Sequence, residues 1–367
     1  MKYNWQLPDW PLFRYDLEAV GNDLSLFLEK SGRIGGLLDA MPDDLQAETV
    51  VDMLVSEALE TSLIEGEYLS RPDVMSSIRN NLGMATDVKQ VGDRCAKGVA
   101  ELMVVARSAF AQPLSESMLL GWHQMLMQGL RRINAGAWRS HNEPMLVVSG
   151  PMGEENIHFE APPSNRVPDE MARFIGWFND TAPGGKSAIR CAPVRSAVAH
   201  LYFESIHPFE DGNGRIGRAL AEKALSQGIG RPVCVSLSQA IDSNRKAYYA
   251  ALKAGQGSNE ITAWIHYFTR TVLQAQENAE EQIGFTLKKA KLFDRVGDEL
   301  NDRQLKVVRR MLEEGPTGFE GGMSARKYVA IAGTSKPTAT RDLQDLVEKK
   351  VLVPSGGGRS THYQLNL

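Results

Sequence analysis

The stretch HPFEDGNGRIGR, His207 to Arg218, places one histidine, two carboxylates, three glycines, an asparagine and two arginines within twelve residues. The segments on either side, APVRSAVAHLYFESI and RIGRALAEKALSQG, have helical apolar spacing, so the glycines and Asn213 form a turn between two helices. The second helix is expected to start at about Gly214 or Arg215. A helix N-terminus presents unpaired N–H groups and partial positive charge, and Gly212 and Gly214 let a ligand approach them closely. Arg215 and Arg218 stand three residues apart on neighbouring positions of one helical face, where both can reach the same anion. A cradle with two guanidinium groups suits a polyphosphate better than a single carboxylate. Asp211, immediately before the turn, sits where one carboxylate beside phosphates would hold Mg²⁺. His207 is suited to take a proton from an incoming hydroxyl. Base, metal ligand, anion hole and clamp together describe nucleotidyl or phosphoryl transfer to a hydroxyl. Taken singly, a His-Pro pair usually ends a helix and a DGNG usually makes a surface turn; their joint occurrence carries the reading.

The remaining chain supplies a soluble, mainly helical frame. Its 367 residues, 43% hydrophobic and 23% charged, suggest two or three domains. No apolar run approaches the roughly 20 residues of a membrane helix. The N-terminus lacks a continuous apolar segment, so the expectation is a cytoplasmic protein without membrane contact. Three widely spaced cysteines, Cys95, Cys191 and Cys234, argue against a disulfide framework or zinc cluster and read as buried small hydrophobes. The net charge of -4 is uneven. Residues 301–367 carry 11 Lys and Arg against 7 Asp and Glu, a net +4, so residues 1–300 sum to -8.

Residues 1–95 read as helices separated by Gly and Pro breaks. Between Pro42 and Gly66, Ala47, Val50, Val51, Leu54, Ala58 and Leu59 form one apolar stripe, and Gly66 supplies a C-terminal stop. Further helix is expected from Ala85 through Phe110, and again over SESMLLGWHQMLMQGL. EPMLVVSGPMGEENIHFEAPP then gives a hairpin signal closed by a Pro-Pro pair. Helix resumes at VPDEMARFIGWFND, and one or two helices span Ile261 to about Glu299. The tail, residues 301–367, reads as three helices and two short strands around a Gly-rich turn, which resembles a winged helix-turn-helix.

His207-Pro208-Phe209-Glu210-Asp211-Gly212-Asn213-Gly214-Arg215, continued by Ile216-Gly217-Arg218, matches without a gap the HxFx(D/E)GNGRxxR signature of Fic (Fido-fold) proteins. The wider resemblance covers residues 110 to 275, and the N-terminal residues resemble a helical domain often found ahead of bacterial Fic cores. It implies a mainly α fold: an N-terminal helical domain (1–95), a Fic core with a β-hairpin flap (96–280), a linker helix (281–300) and the winged-helix tail (301–367). It also implies a protein AMPylase, moving AMP from ATP to a Ser, Thr or Tyr hydroxyl of a target protein or of itself. By analogy His207 is the general base and Phe209 a core plug, and Asp211 binds Mg²⁺. Gly212, Asn213 and Gly214 form the anion hole, while Arg215 and Arg218 hold the β- and γ-phosphates. Ile216 and Gly217 complete the nucleotide-binding motif. Asn156, Ile157 and His158 of the flap would lie near the nucleotide, Tyr248 and Tyr249 resemble adenine-side tyrosines, and Gln256 is a further contact. Tyrosines on an apolar helix are more often packing residues.

TSLIEGE, Thr61 to Glu67, matches the family's inhibitory pattern (S/T)xxxE(G/N) through Thr61, Glu65 and Gly66. In relatives that carry it on an N-terminal helix, the Glu pairs with the second motif arginine, here Arg218, and denies it to the ATP γ-phosphate. Glu57, Glu60 and Glu67 are expected to face elsewhere or solvent. Two alternatives accompany this reading. One is removal of AMP or transfer of another phosphate-containing group. The other is a DNA-binding regulator with a nucleotide-sensing core, in which Lys336, Arg341 and Arg359 of the tail meet phosphates. Family members occur as monomers and dimers, so a homodimer stays open.

Overall fold

The computed structural model describes residues 2–84, 90–130, 133–149, 156–316, 318–357 and 361–367. Two compact units divide the chain, Met1–Ala279 and Glu280–Leu367. In the first, helices α1 (Gly21–Asp39), α2 (Asp43–Ile64), α3 (Arg71–Asn81), α4 (Arg94–Ser108) and α5 (Glu116–Met127) lead to a hairpin. The hairpin consists of β1 (Leu146–Ser149) and β2 (Asn156–Glu160). Helices α6 (Val167–Asp180), α7 (Ala192–Ile206), α8 (Asn213–Ile229), α9 (Leu237–Asp242), α10 (Arg245–Gly255) and α11 (Thr262–Val296) follow, the division between units falling within α11.

Helix α7 is the axis of the first unit, with every residue from Ala192 to Ile206 buried. Its sequence is nevertheless polar at five positions, and each buried polar group needs a partner. Arg195 donates to the carbonyls of Phe178 (2.7 Å) and Ala224 (3.3 Å) and to Thr181 and Gln227. Ser196 donates to the Ala221 carbonyl at 2.8 Å, and Ser205 accepts from Asn4 Nδ2 at 2.8 Å. His200 Nε2 meets the Tyr248 hydroxyl at 2.8 Å. Three polar atoms of α7 are buried without a partner: His200 Nδ1, the Tyr202 hydroxyl and Glu204 Oε1. Helix α8 packs closely on α7 because Gly228 faces Ala192; a Cβ at 228 would lie 2.4 Å from that of Ala192.

Three expectations change. The glycines of residues 32–36 read as breaks, yet α1 runs through them to Asp39. Gly35 serves packing, since the Arg231 guanidinium lies where its Cβ would be, with Nη2 donating to the Ser31 carbonyl at 3.0 Å. Helix α4 starts at Arg94 rather than Ala85, because Asp93 accepts from the N–H groups of Cys95 and Ala96 and caps it there. Residues 85–89 of that expectation lie outside the described residues. Only Cys234 is buried; Cys95 and Cys191 are half-buried, and all three are free.

The hairpin is antiparallel, pairing Leu146 with Glu160, Val147 with Phe159, Val148 with Ile157 and Ser149 with Asn156. His158 is the extra residue of a bulge. Phe159 is buried beneath the edge of the Tyr3 ring, whereas Leu146, Val148 and Ile157 are exposed. In the second unit, α12 (Asp302–Leu312), α13 (Ala325–Ala332) and α14 (Lys336–Glu348) precede β3 (Leu352–Ser355) and β4 (His362–Leu365), which pair antiparallel. Val307, Val308, Met311, Tyr328, Leu343 and Leu346 form its core, and Asp342 joins its helices by accepting from Arg303 Nε (2.9 Å) and the Tyr328 hydroxyl (3.0 Å).

Glu57 of α2 is buried, accepting from Ser236 Oγ at 2.8 Å, the Ser238 N–H at 2.9 Å and the Ser238 hydroxyl. Burial and the charge of Glu57 push the Glu222 carboxyl of α8 well above its usual 4.5. A carboxyl raised in the folded state contributes fully to stability below its unfolded value, and that contribution fades as pH rises through the folded one. Glu222→Gln, which needs no proton, is therefore expected to flatten this slope. Thermal unfolding at pH 5 and pH 8 should show the variant gaining on wild type at the higher pH, by about 2–4 °C for each kcal/mol relieved.

Candidate active site

Helix α7 ends at His207, whose backbone turns left-handed (φ 51°) while its N–H still reaches the Phe203 carbonyl at 2.9 Å. A non-glycine residue in this region is strained and needs the surrounding structure to hold it. Asn213 does part of that, its amide accepting from the Phe209 N–H and donating to the Phe209 carbonyl, both at 2.9 Å. Phe209 is fully buried and stacks on His123 with ring centroids 4.0 Å apart. Burial drives His123 down to about 4, so that ring is neutral, and its Nδ1 accepts from the Gly136 N–H at 2.9 Å. Gly212 caps α8 with φ 79°, backed by Met127; a Cβ there would lie 2.6 Å from Met127 Cε. Because the Asn213 side chain is committed to the turn, the donors left at the start of α8 are the backbone N–H groups of its first turn.

Both motif arginines are buried, the Arg215 side chain 3% and the Arg218 side chain 1% exposed, and both are held by the end of α2. That end is a Schellman motif: Gly66, in left-handed conformation, donates to the Leu63 carbonyl at 3.0 Å, and Glu67 donates to the Ser62 carbonyl at 2.9 Å. The reversal at Gly66 aims the carboxylates on either side of it at α8. Arg218 Nη2 donates to Glu65 Oε1 at 2.7 Å and to the Thr61 carbonyl at 2.9 Å, while Nε donates to Thr61 Oγ1 at 2.8 Å. Glu65 Oε1 lies over Gly214, where a Cβ would approach it to 2.2 Å. The Gly214 position is thus open only because it has no side chain. Arg245 Nη1 takes the Leu63 carbonyl at 2.9 Å, and the Tyr249 hydroxyl lies 3.5 Å from the Ile64 carbonyl.

Glu67 does not face elsewhere. Its Oε2 accepts from Arg215 Nη1 at 2.5 Å, because the Schellman turn returns the chain toward α8. Asp211 Oδ1 lies 3.5 Å from Arg215 Nη2 and accepts from the Gly212 N–H at 2.5 Å. Burial, together with the charges of Asp211 and Glu65, raises the Glu67 carboxyl above its usual value despite the pairing with Arg215. Glu57 does face elsewhere, buried on Ser236 and Ser238 rather than on the motif arginines. Glu60 is half-buried and raised by burial and the charges of Asp242 and Glu57.

Two residues that motif reading missed support His207. Arg139 donates through Nε to the His207 carbonyl at 2.8 Å and through Nη2 to the Pro162 carbonyl at 2.5 Å, so it staples the foot of the hairpin to the histidine turn. Its own N–H reaches the Pro208 carbonyl at 3.0 Å. Glu204, one turn back on α7, brings Oε2 to 3.7 Å from His207 Nδ1, and that nitrogen is buried with no hydrogen-bond partner. Burial alone would raise the Glu204 carboxyl, but His207, His200 and Arg218 hold it below its usual value. Gly217 exists for this carboxylate: a Cβ at 217 would lie 2.4 Å from Glu204 Oε1. The signal in the sequence was a lone acid inside an otherwise apolar or hydrogen-bonded helix.

The structure gathers His207, Asp211, Gly212, Asn213, Gly214, Arg215 and Arg218 at one turn, with Thr61, Glu65 and Gly66 against them. Ile216 is fully buried and packs the core. Tyr248 and Gln256 are not brought to the cleft. Tyr248 is buried with its hydroxyl on His200, and Gln256 is buried with Nε2 on the Glu204 carbonyl at 3.1 Å, so apolar packing and backbone capping claim them. Tyr249 is half-exposed, with its hydroxyl pushed up to about 12 by burial and the charge of Glu65. Ile157 is exposed and His158 half-buried on β2; Asn156 is placed there by its backbone. Arg359 lies outside the described residues.

Among the described residues no group of three or more His, Cys, Asp or Glu is arranged to hold a metal ion, and no helix is long and apolar enough to cross a membrane. Residues 113–225 match the Fic/DOC family, and residues 3–84 match a domain of unknown function, DUF4172. The chain is 26% identical over 221 residues to a probable protein adenylyltransferase of Aquifex aeolicus (strain VF5), covering 60% of this chain and 58% of that one. It is 36% identical over 84 residues to a protein adenylyltransferase Fic of Culex quinquefasciatus, covering 23% of this chain and 15% of that one. It therefore spans well under two thirds of the length of either relative. A solved structure of a Fic family protein from Desulfovibrio desulfuricans G20 is similar in fold, with 20% identity and a TM-score of 0.57 over 97% of this chain and 98% of that one. The gathered turn falls inside residues 113–225, the segment that matches the Fic/DOC family.

Proposed function

We propose that the chain is a protein adenylyltransferase whose resting state is blocked by its own N-terminal helix. The observation that carries this is the position of Glu65, which occupies Arg218 and lies over Gly214 at the N-terminus of α8. A carboxylate on the guanidinium and the helix start fills the space an ATP phosphate needs. In the unblocked state the backbone N–H groups of Gly214 and its neighbours, with Arg215 and Arg218, bind and orient the triphosphate. A hydroxyl of a Ser, Thr or Tyr on the target attacks the α-phosphorus, its proton passes to His207 Nε2, and the bond to pyrophosphate breaks. The buried Glu204 carboxylate facing Nδ1 favours the tautomer with the proton on Nδ1, leaving Nε2 free to accept, and it balances the imidazolium that forms.

Asp211 suits Mg²⁺: it is half-exposed, one oxygen is fixed by the Gly212 N–H, and no second carboxylate is needed for an ion that takes its other ligands from phosphates and water. Bound there, the ion supplies charge neutralisation for the phosphates. The exposed apolar residues Leu146, Val148 and Ile157 on the hairpin support strand addition by an extended target segment. A second reading concerns residues 301–367 as a winged helix that binds DNA. Lys336 and Arg341 are exposed on α14, opposite buried Ala339, Leu343 and Leu346.

With Mg²⁺ and ATP labelled on the α-phosphate, Glu65→Gly is expected to label itself or an added target at least about tenfold more strongly than wild type, the scale of one charge-assisted hydrogen bond. Adding His207→Ala should lower that labelling by about 10²–10⁴-fold. Equal labelling of wild type and Glu65→Gly sinks the blocked state, and label delivered from another nucleotide or removed from a target reassigns the transferred group. On the Glu65→Gly background, Glu204→Gln is expected to slow transfer and to move the acid limb of the pH–rate profile to lower pH, because the imidazolium loses its counter-charge. A loss of rate with an unmoved profile would assign Glu204 to packing alone. For the tail, the full chain should shift a DNA duplex at low salt and release it as salt rises, and no shift at low salt removes that reading.

A further inference from the structure

We infer that Glu67 is a second gating carboxylate, holding Arg215 as Glu65 holds Arg218, so that both guanidinium groups must change partners before a polyphosphate can bind. The inference rests on the nucleotide-transfer reading above. The Arg215 side chain is 3% exposed, with a buried Nε that has no hydrogen-bond partner and an Nη1 committed to Glu67 at 2.5 Å. A buried arginine with an unmet donor is not a finished structural ion pair. It is a guanidinium waiting for an acceptor that offers more oxygens than one carboxylate does. Glu67 for its part is 28% exposed and shares the site with Glu65 and Asp211, so three carboxylates surround two guanidinium groups. Their mutual repulsion keeps the Arg215 pair exchangeable.

The backbone explains why the two gates belong together. Glu65 and Glu67 flank Gly66, whose left-handed conformation ends α2 and turns the following residue back. Arg215 and Arg218 are one turn apart on α8. A two-residue step across the Schellman turn thus matches a three-residue step along the facing helix. A ligand bearing linked anionic groups can replace both carboxylates at once, with an advantage that single anions lack.

The test is equilibrium binding of Mg²⁺–ATP in a non-transferable form, its α–β bridging oxygen replaced, to wild type, Glu65→Gln, Glu67→Gln, Glu67→Ala and the double Gln variant. Thermal unfolding of each confirms that the fold is kept. Either Glu67 variant is expected to bind about tenfold more tightly than wild type, and the double variant more tightly than either Gln variant alone. Affinity within twofold of wild type, or weaker, for both Glu67→Gln and Glu67→Ala would overturn the inference. Because binding is read without transfer, failure of every variant to label with AMP would count against the adenylyltransferase reading while the binding result still decides the role of Glu67. On the Glu65→Gly background, added Glu67→Gln should raise labelling further at ATP concentrations below saturation.

Discussion

Two guanidinium groups buried side by side at the start of a helix are a severe electrostatic constraint, and much of the first unit is arranged to satisfy it. Charges this deeply buried must be paired, and their partners must come from elsewhere in the chain. The end of α2 supplies them: Thr61, Glu65 and Glu67 reach the arginines only because α2 packs along α8 and stops at Gly66. The same packing places Glu57 against the Ser236–Ser238 turn and beside Glu222. An N-terminal segment and a segment some 150 residues later in the chain are thereby fixed against each other by complementary charge as well as by apolar contact.

The chemistry of the turn was legible because its requirements are local. Gly212 needs a positive φ, Asn213 closes the turn on Phe209, and both arginines project from one face, all within twelve residues. What escaped the sequence depends on distance. Glu67 looks like any exposed acid beyond a helix stop until the Schellman turn brings it back onto Arg215. Arg139 lies in a loop with no motif around it, and its role appears only when the hairpin foot and the histidine turn meet. Tyr248 and Gln256 suit a ligand by residue type, but the packing of α10 on α7 turns them inward. The glycines of α1 read as punctuation, although Gly35 is explained by the approach of Arg231.

Helix α7 shows how a buried element can serve stability and chemistry together. Its arginine, serines and His200 are tied into the frame by hydrogen bonds, which fix the helix along its axis. Glu204, one turn before His207, keeps an unmet oxygen and faces the unpartnered His207 Nδ1. In the proposed transfer, that carboxylate balances the charge His207 gains and loses.

The last carbonyls of α2 carry a consequence for how the proposed blocked state would open. Side chains from α8 and α10 reach the carbonyls of Thr61, Leu63 and Ile64, the Leu63 carbonyl in addition to the Gly66 N–H. Arg218 binds the Thr61 carbonyl through the same nitrogen that binds Glu65. Withdrawing Arg218 therefore strips the helix end of a cap in the same event that frees the guanidinium. In the proposed blocked state the latch would be a helix terminus, and its release would be fraying of the final turn rather than rotation of one side chain. Such an event belongs to the microsecond-to-second range of local unfolding, slower than the picosecond-to-nanosecond rotamer exchange of an exposed glutamate.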